Sequence, residues 1–249
     1  MGLKMPDLTL YFLQASRSIR IAWLLEELGL DYKLEAYDRE DTGLAPAGFK
    51  QSCGTALGKA PVLKDGKLTL QESGAITEYV FPFPSCISAI PNVLRLHPSR
   101  EPHPLTVPAR YLCEHYDKSH RLLPTEQAQR VKVREWIHAA EGAFMVHCLP
   151  MVYVRRIDAS AAERLAPGLA GNVARDLDWL EAELKRGNGR YLVGDHVTAA
   201  DTMVAFSIQF IFWLKLAQDR KWEGIEAWLR NVEAGETYQR AVAKTGHHL

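Results

Sequence analysis

Thirty basic residues against thirty acidic ones leave this 249-residue chain without net charge, and neither sign gathers into a long run. A chain with no basic stripe lacks the electrostatic footprint that a phosphate backbone requires, so nucleic acid is not an expected partner. Cysteine is scarce: Cys53, Cys86, Cys113 and Cys148 are scattered with no CxxC spacing. That excludes a disulfide scaffold, a zinc knuckle and a thioredoxin-type dithiol as readings, and any sulfur chemistry would draw its thiol from a ligand. The nine histidines include no HxxxH pair, and the couples Cys113 with His115 and His147 with Cys148 supply too few ligands at zinc spacing. No metal is expected. Long hydrophobic runs are also missing, since no stretch reads as the roughly 18 apolar residues of a membrane span. The opening Met-Gly-Leu-Lys-Met-Pro-Asp has no apolar core of a signal peptide. The expectation is a cytoplasmic chain that binds no membrane.

What is present is the composition of a globular protein, 47% hydrophobic and 24% charged, in a chain long enough for one large domain or two ordinary ones. Leu8 to Leu13 is a short apolar run, and Ile19 to Leu28 then places Ile19, Ala22, Trp23, Leu25 and Leu28 at mostly three- and four-residue spacing. Gly29 ends that helix, and Tyr32 to Tyr37 alternates into a second strand. Pro61 to Leu63 reads as a third strand, Asp65-Gly66-Lys67 as a hairpin turn and Leu68 to Leu70 as a fourth, after which Ser73 to Val80 turns helical. The order βαβ then ββα is that of a thioredoxin-like α/β fold. From about Glu126 the pattern is helical, with amphipathic stretches at Glu126 to Phe144, Ala161 to Arg186, Ala199 to Ala217 and Glu223 to Glu233. The fold class is therefore a thioredoxin-like N-terminal domain over 1–80 followed by an all-α helical bundle over 118–249.

Between them, residues 81–117 form a Pro-rich insertion and linker. Seven of the thirteen prolines (Pro82, Pro84, Pro91, Pro98, Pro102, Pro104 and Pro108) fall in Phe81 to Arg110, which excludes both a long helix and a central strand. Joining Glu78-Tyr79 to Leu112-Cys113 would restore one amphipathic run. Two readings stand: a lid or linker, since loops beyond about 12 to 15 residues are usually functional or disordered, or a retained intron.

Three places carry the chemistry. Ser16-Arg17-Ser18-Ile19-Arg20 lies where the first strand gives way to the first helix, a position at which free N–H groups and the helix dipole favour an anion such as a thiolate. An ordinary thiol with a pKa of about 8.5 is only a few per cent thiolate near neutrality, so such a site has work to do. The alternative is that Ser16 simply caps the helix. In Gly58-Lys59-Ala60-Pro61, a cis Pro61 would turn the N–H and C=O of Ala60 outward to pair with an extended peptide. A strand-initial proline at a sheet edge is the plainer reading. Glu72 and Ser73 open a helix after the fourth strand, where the carboxylate can pair with an ammonium while Ser73 holds a carboxylate, together an α-amino-acid clamp. An acidic first turn with a capping serine is the alternative. Thr198 and Asp201, by contrast, have the spacing of a capping box and are read as structural.

Taken together, SRSIRIAWLLEELGLDY, LGKAPVL, LQESGAITEY and YLVGDHVTAADTMV resemble the cytosolic glutathione S-transferase family, and within it the fungal and bacterial branch. The resemblance runs over nearly the whole chain apart from 81–110. It implies an enzyme that activates the thiol of glutathione for attack on an electrophilic small molecule, with glutathione as co-substrate, no tightly bound cofactor and a homodimeric state. Ser16 is then the thiol-activating residue, Ala60 the backbone anchor, Glu72 and Ser73 the γ-glutamyl clamp, and Arg17, Lys59 and Pro61 further glutathione contacts. Members of this branch often carry asparagine just before the serine, where this chain has Ala15. Tyr11 is a rival activator by analogy with tyrosine-dependent classes. Phe144, Met145, Met151, Tyr153, Phe206, Phe210 and Trp213 are candidate walls for the second substrate, or core. The competing functions are a non-catalytic binding or interaction module on the same fold and a glutathione-dependent disulfide reductase. The resemblance leaves detoxification and secondary metabolism both open as roles.

Overall fold

The structure, a computed structural model, describes residues 7–77, 111–216 and 220–249. The expected insertion over 81–110 lies outside them, and so does the end of the helix expected over Ser73 to Val80.

Four strands form one mixed sheet in the order β2-β1-β3-β4, with β1 Leu8–Leu13, β2 Lys33–Tyr37, β3 Val62–Asp65 and β4 Leu68–Gln71. β1 and β2 are parallel, as the helix between them (α1, Ser18–Glu27) demands, while β3 runs antiparallel to both β1 and β4. Alternation along β1 explains the layering. Leu8, Leu10 and Phe12 face the large core with α1, whereas Leu13, with Tyr11 partly covered, packs on Phe49, Cys53 and Val62 beneath α2 (Ala47–Ser52). α1 ends at Gly29, whose φ of +62° suits the left-handed turn that a side chain resists.

The helix α3 (Ser73–Thr77) adjoins α4 (Tyr111–Tyr116) in space, consistent with one amphipathic run divided in sequence. The second half comprises α5 Gln127–Ala139, a π-helical turn Ala140–Met145, α6 Val146–Ile157, α7 Ala159–Arg186, α8 Ala199–Trp213, α9 Glu223–Glu233 and α10 Glu236–Thr245. One hydrophobic core runs through both halves, from Leu10 and Trp23 to Met203 and Trp228. α1 is buried on nearly every side because α8 and α10 cover the face that the sheet leaves open. The thioredoxin-like and helical parts are thus packed as one body.

Two features depart from the sequence reading. Gln127–Ile157 forms a continuous helical run of 31 residues that is long and apolar enough to cross a membrane by length and composition. It also supplies Val133, Trp136, Ile137 and Phe144 to the core, packed against α7 and α8. The segment α6 was missed because Pro150 lies inside it; the helix continues past the one N–H that proline removes. The expected capping box is present, with Asp201 accepting from the Thr198 N–H and hydroxyl at 2.9 and 3.0 Å. The same carboxylate accepts from Leu192 N–H and Trp228 Nε1, both at 2.9 Å, so it also ties α9 to α8.

Candidate functional site

The sheet register brings the three motifs to one place. Tyr11 pairs with Val62 and Val62 with Gln71, so the C-terminal end of β1, the start of β3 and the end of β4 share one edge of the domain. Ser16 continues from the first, Ala60 and Pro61 precede the second, and Glu72 and Ser73 follow the third. The Ala60–Pro61 bond is cis, the first of the two readings of this proline. Lys59 is exposed beside it.

Ser16 is 7% exposed, and its hydroxyl is engaged locally. The oxygen accepts from the Ser18 N–H at 3.1 Å, which satisfies one of the unpaired donors at the start of α1, and it lies 2.6 Å from the Leu13 carbonyl and 2.9 Å from Ser18 Oγ. Ser16 thus stands one residue before the N-cap, Arg17, and binds the first N–H of α1 from there. The single hydroxyl proton has two acceptors in reach, and rotating it toward a thiolate would leave the bond from Ser18 N–H intact. Ala15, just before it, has φ +47°, a left-handed conformation that asparagine tolerates and alanine resists. The loop is held there by Arg39, which donates to the carbonyls of Gln14, Ala15 and Gly43 at 2.9, 3.0 and 2.8 Å.

Glu72 is exposed with φ +71°, a strained value for a residue with a long side chain, and strain of this kind gathers at ligand clamps. Ser73 is buried, and its hydroxyl accepts from Arg20 Nη1 at 3.0 Å. Arg20 is the centre of this site: an arginine of α1 is expected to face solvent, and here it is buried instead. Its guanidinium is fully buried and also donates to Glu141 Oε1 at 2.5 Å and to Ser207 Oγ at 2.7 Å, with the Phe206 ring 5.4 Å away. Burial pushes its pKa down to about 10, against the pull of Glu141. Burial raises Glu141 in turn, but Arg20 and Arg17 outweigh it and hold the carboxyl below its ordinary range. Arg17 donates to the same oxygen at 2.6 Å, so its side chain is already partnered within the chain. Ser207 in turn donates a hydrogen bond to the Ala140 carbonyl at 3.0 Å, where the π-helical turn begins. A readable signal existed: Arg20 stands between Ile19 and Trp23 on the apolar stripe of α1, where a charge must find partners.

Tyr11 does not join the site. Its hydroxyl accepts from Lys64 Nζ at 2.9 Å on the α2 side of the sheet. Of the seven candidate wall residues, Phe144, Met145, Met151, Phe206 and Phe210 are core, while Tyr153 and Trp213 are 54% and 53% exposed. Cys148 is buried, which raises its thiol to about 12 and removes it as a nucleophile. Among the described residues, no group of three or more His, Cys, Asp or Glu is arranged to hold a metal ion.

Two family models match the chain: the glutathione S-transferase N-terminal domain over residues 6–81 and the glutathione S-transferase C-terminal domain over 142–236. Together they span well over half of it. The chain belongs to the glutathione S-transferase family. Among curated relatives, glutathione S-transferase 1 of Saccharomyces cerevisiae is 24% identical, with 97% of each chain aligned. A glutathione S-transferase structure from Actinobacillus pleuropneumoniae is 29% identical and superposes with a TM-score of 0.71, covering 97% of this chain and 94% of the other. A family member from Pseudomonas fluorescens, solved with two glutathione molecules bound, shares the fold with a TM-score of 0.63 at 21% identity, covering 95% and 92%. Within this transferase family, the N-terminal match ends just beyond the described part of α3, so the family's N-terminal domain includes every candidate glutathione contact, from Ser16 to Ser73.

Proposed function

We propose that this transferase binds glutathione between Ser16, Ala60 and the Glu72–Ser73 turn, lowers the pKa of its thiol and presents the thiolate to an electrophile held against the helical half. The observation that carries the reading is the convergence of these residues on one sheet end, with Arg20 holding the Ser73 hydroxyl from behind. Glutathione's γ-glutamyl group offers an ammonium to Glu72 and a carboxylate to the first turn of α3. Its cysteinyl amide pairs with the Ala60 backbone as an added strand, flanked by Pro61, with Lys59 on the outer side. The sulfur then lies at the N-terminus of α1, where Ser16 donates its proton and the helix dipole favours negative charge. Arg17 bounds this position but keeps Glu141 as its partner. We place the protein in the cytoplasm as a homodimer, acting on a hydrophobic electrophile in detoxification or in secondary metabolism.

The second reading, a non-catalytic binding module, is favoured by the inward hydrogen bond of the Ser16 hydroxyl to Leu13. Calorimetric titration with glutathione, followed by the thiolate absorbance of the complex against pH, separates the two. Saturable binding with a thiol pKa at least one unit below the free value of about 8.5, an effect worth about 1.4 kcal/mol and lost in Ser16→Ala, is the expected result. Binding with an unshifted thiol would establish the module, and absence of binding would remove both.

A further inference from the structure

The loop that carries Ala15 and Ser16 is ringed by guanidinium groups. Arg39 is anchored under it on three carbonyls, Arg17 follows it in sequence, and Arg156 reaches in from the last turn of α6. Arg156 Nη2 comes within 2.9 Å of where a Cβ would stand on Gly43, the residue whose carbonyl takes an Arg39 bond. A Cβ there would displace the Arg156 tip, and the φ of +74° at Gly43 itself favours glycine. The three cations feel one another, since burial and then the charges of Arg156 and Arg17 lower the Arg39 pKa.

Their partners are unequal. Arg17 shares Glu141 with Arg20, and Arg39 spends its donors on backbone carbonyls. Arg156 is exposed, and among the described residues it has neither an ion pair nor a hydrogen bond. Asp38, Glu40 and Asp41 lie on the same loop as Arg39 but are exposed and form no ion pair with any of the three. Tyr153, three residues before Arg156 and so on the same face of α6, is exposed, and Arg155 ties that end of the helix to the Leu214 carbonyl beside Trp213. An uncommitted fork of donors therefore stands one turn along α6 from the exposed Tyr153 ring, at the helix end that Arg155 ties to Leu214 beside the exposed Trp213, and against Gly43, whose carbonyl shares Arg39 with the loop before Ser16.

We propose that the second substrate is an electrophile bearing a carboxylate, with the carboxylate on the free fork of Arg156 and its apolar body against Tyr153 and Trp213. The proposal rests on the transferase reading above. Arginine suits the task because its planar fork matches a carboxylate in two parallel hydrogen bonds, while Arg17 and Arg39 add fixed positive field.

The test uses the whole protein with 4-chloro-3,5-dinitrobenzoate and its methyl ester, which differ in one charge. In both, the glutathione thiolate attacks the carbon bearing chlorine, the C–S bond forms, the C–Cl bond breaks and chloride leaves, the thiol proton having gone to solvent. Wild type is expected to favour the acid over the ester in kcat/KM. In Arg156→Gln that acid-to-ester ratio falls at least tenfold, with Arg156→Lys intermediate. Turnover of both compounds without preference for the acid, or a ratio unmoved by Arg156→Gln, overturns the proposal and leaves the transferase reading standing. So does a glutathione dissociation constant, measured calorimetrically, that weakens tenfold in Arg156→Gln, because the fork would then belong to the glycyl carboxylate of glutathione. No turnover of either compound overturns both.

Discussion

Replacing Arg20 with methionine tests whether the glutathione site is held from the helical half of the molecule. Methionine keeps most of the aliphatic volume and removes the charge. Removing one partner of a buried ion pair costs about 3 to 5 kcal/mol. Here Glu141 is 39% exposed and keeps Arg17, which places the cost near the lower end, about 3 kcal/mol. Ser207 retains its bond to Ala140, so it adds little. For a chain of this size each kcal/mol shifts Tm by about 2–4 °C, giving a fall of about 6–12 °C in a calorimetric scan. The Ser73 hydroxyl loses its donor as well, and glutathione affinity should drop by about fivefold, the equivalent of one hydrogen bond. Repeating the substitution in a Glu141→Gln background shows the route of the effect, since residues in one network couple by about 0.5–3 kcal/mol. A fall in Tm under about 2 °C, or the same loss in both backgrounds, refutes the assignment of Arg20 as the joint between the two halves.

Three further outcomes are expected. Ala15→Asn should raise stability by roughly 1 kcal/mol, read from urea denaturation, because asparagine accepts the left-handed φ that alanine resists; an unchanged midpoint would mean the loop relaxes to suit alanine. Burial, and then the charge of His248, lowers the His247 pKa to about 4 from 6.5. The unfolded chain therefore binds a proton first, so this residue's stabilisation is complete above pH 6.5 and is lost as pH falls toward 4, and His247→Gln should flatten the stability profile over that window. Iodoacetamide at pH 8 should leave Cys53, Cys113 and Cys148 unmodified in the native protein, as all three are buried and Cys148 would be thiolate in only about one molecule in ten thousand. Peptide mass mapping checks this, and rapid labelling of Cys148 without unfolding would contradict the packing described.

The strands and α1 were legible because their signals are local: alternation on β1, glycine at the helix end and a turn sequence at Asp65-Gly66-Lys67. Helix α9 was read to the residue for the same reason, a strong apolar stripe with no internal breaker. The six-residue α2 lies among glycines and a proline that read as loop, and α6 contains Pro150, so their helicity depends on packing that a sequence window does not see. The candidate site divides in the same way. Ser16, Ala60, Glu72 and Ser73 announce themselves at strand and helix ends. Arg20, Glu141 and Ser207 are far apart in sequence, and only the folded chain puts them on one guanidinium. The aromatic residues expected to wall the second substrate mostly belong to the core, since helical spacing gives a face without saying what covers it.

That wiring has a consequence for the order in which the protein is made. The residues proposed to contact glutathione leave the ribosome within the first third of the chain, yet the groups that fix them come later: the side chains of Glu141 and then Ser207, and near the end the backbone carbonyl of Thr245, which takes a 2.8 Å bond from Gln14 in the loop before Ser16. At roughly 5 to 20 residues per second, on the order of ten seconds or more separates Ser73 from Thr245. In the earlier part of that interval the nascent N-terminal domain carries Arg20 with Ser73 but without Glu141 and Ser207. A chain released early would keep the motifs of a glutathione site and lack the means to hold them in place.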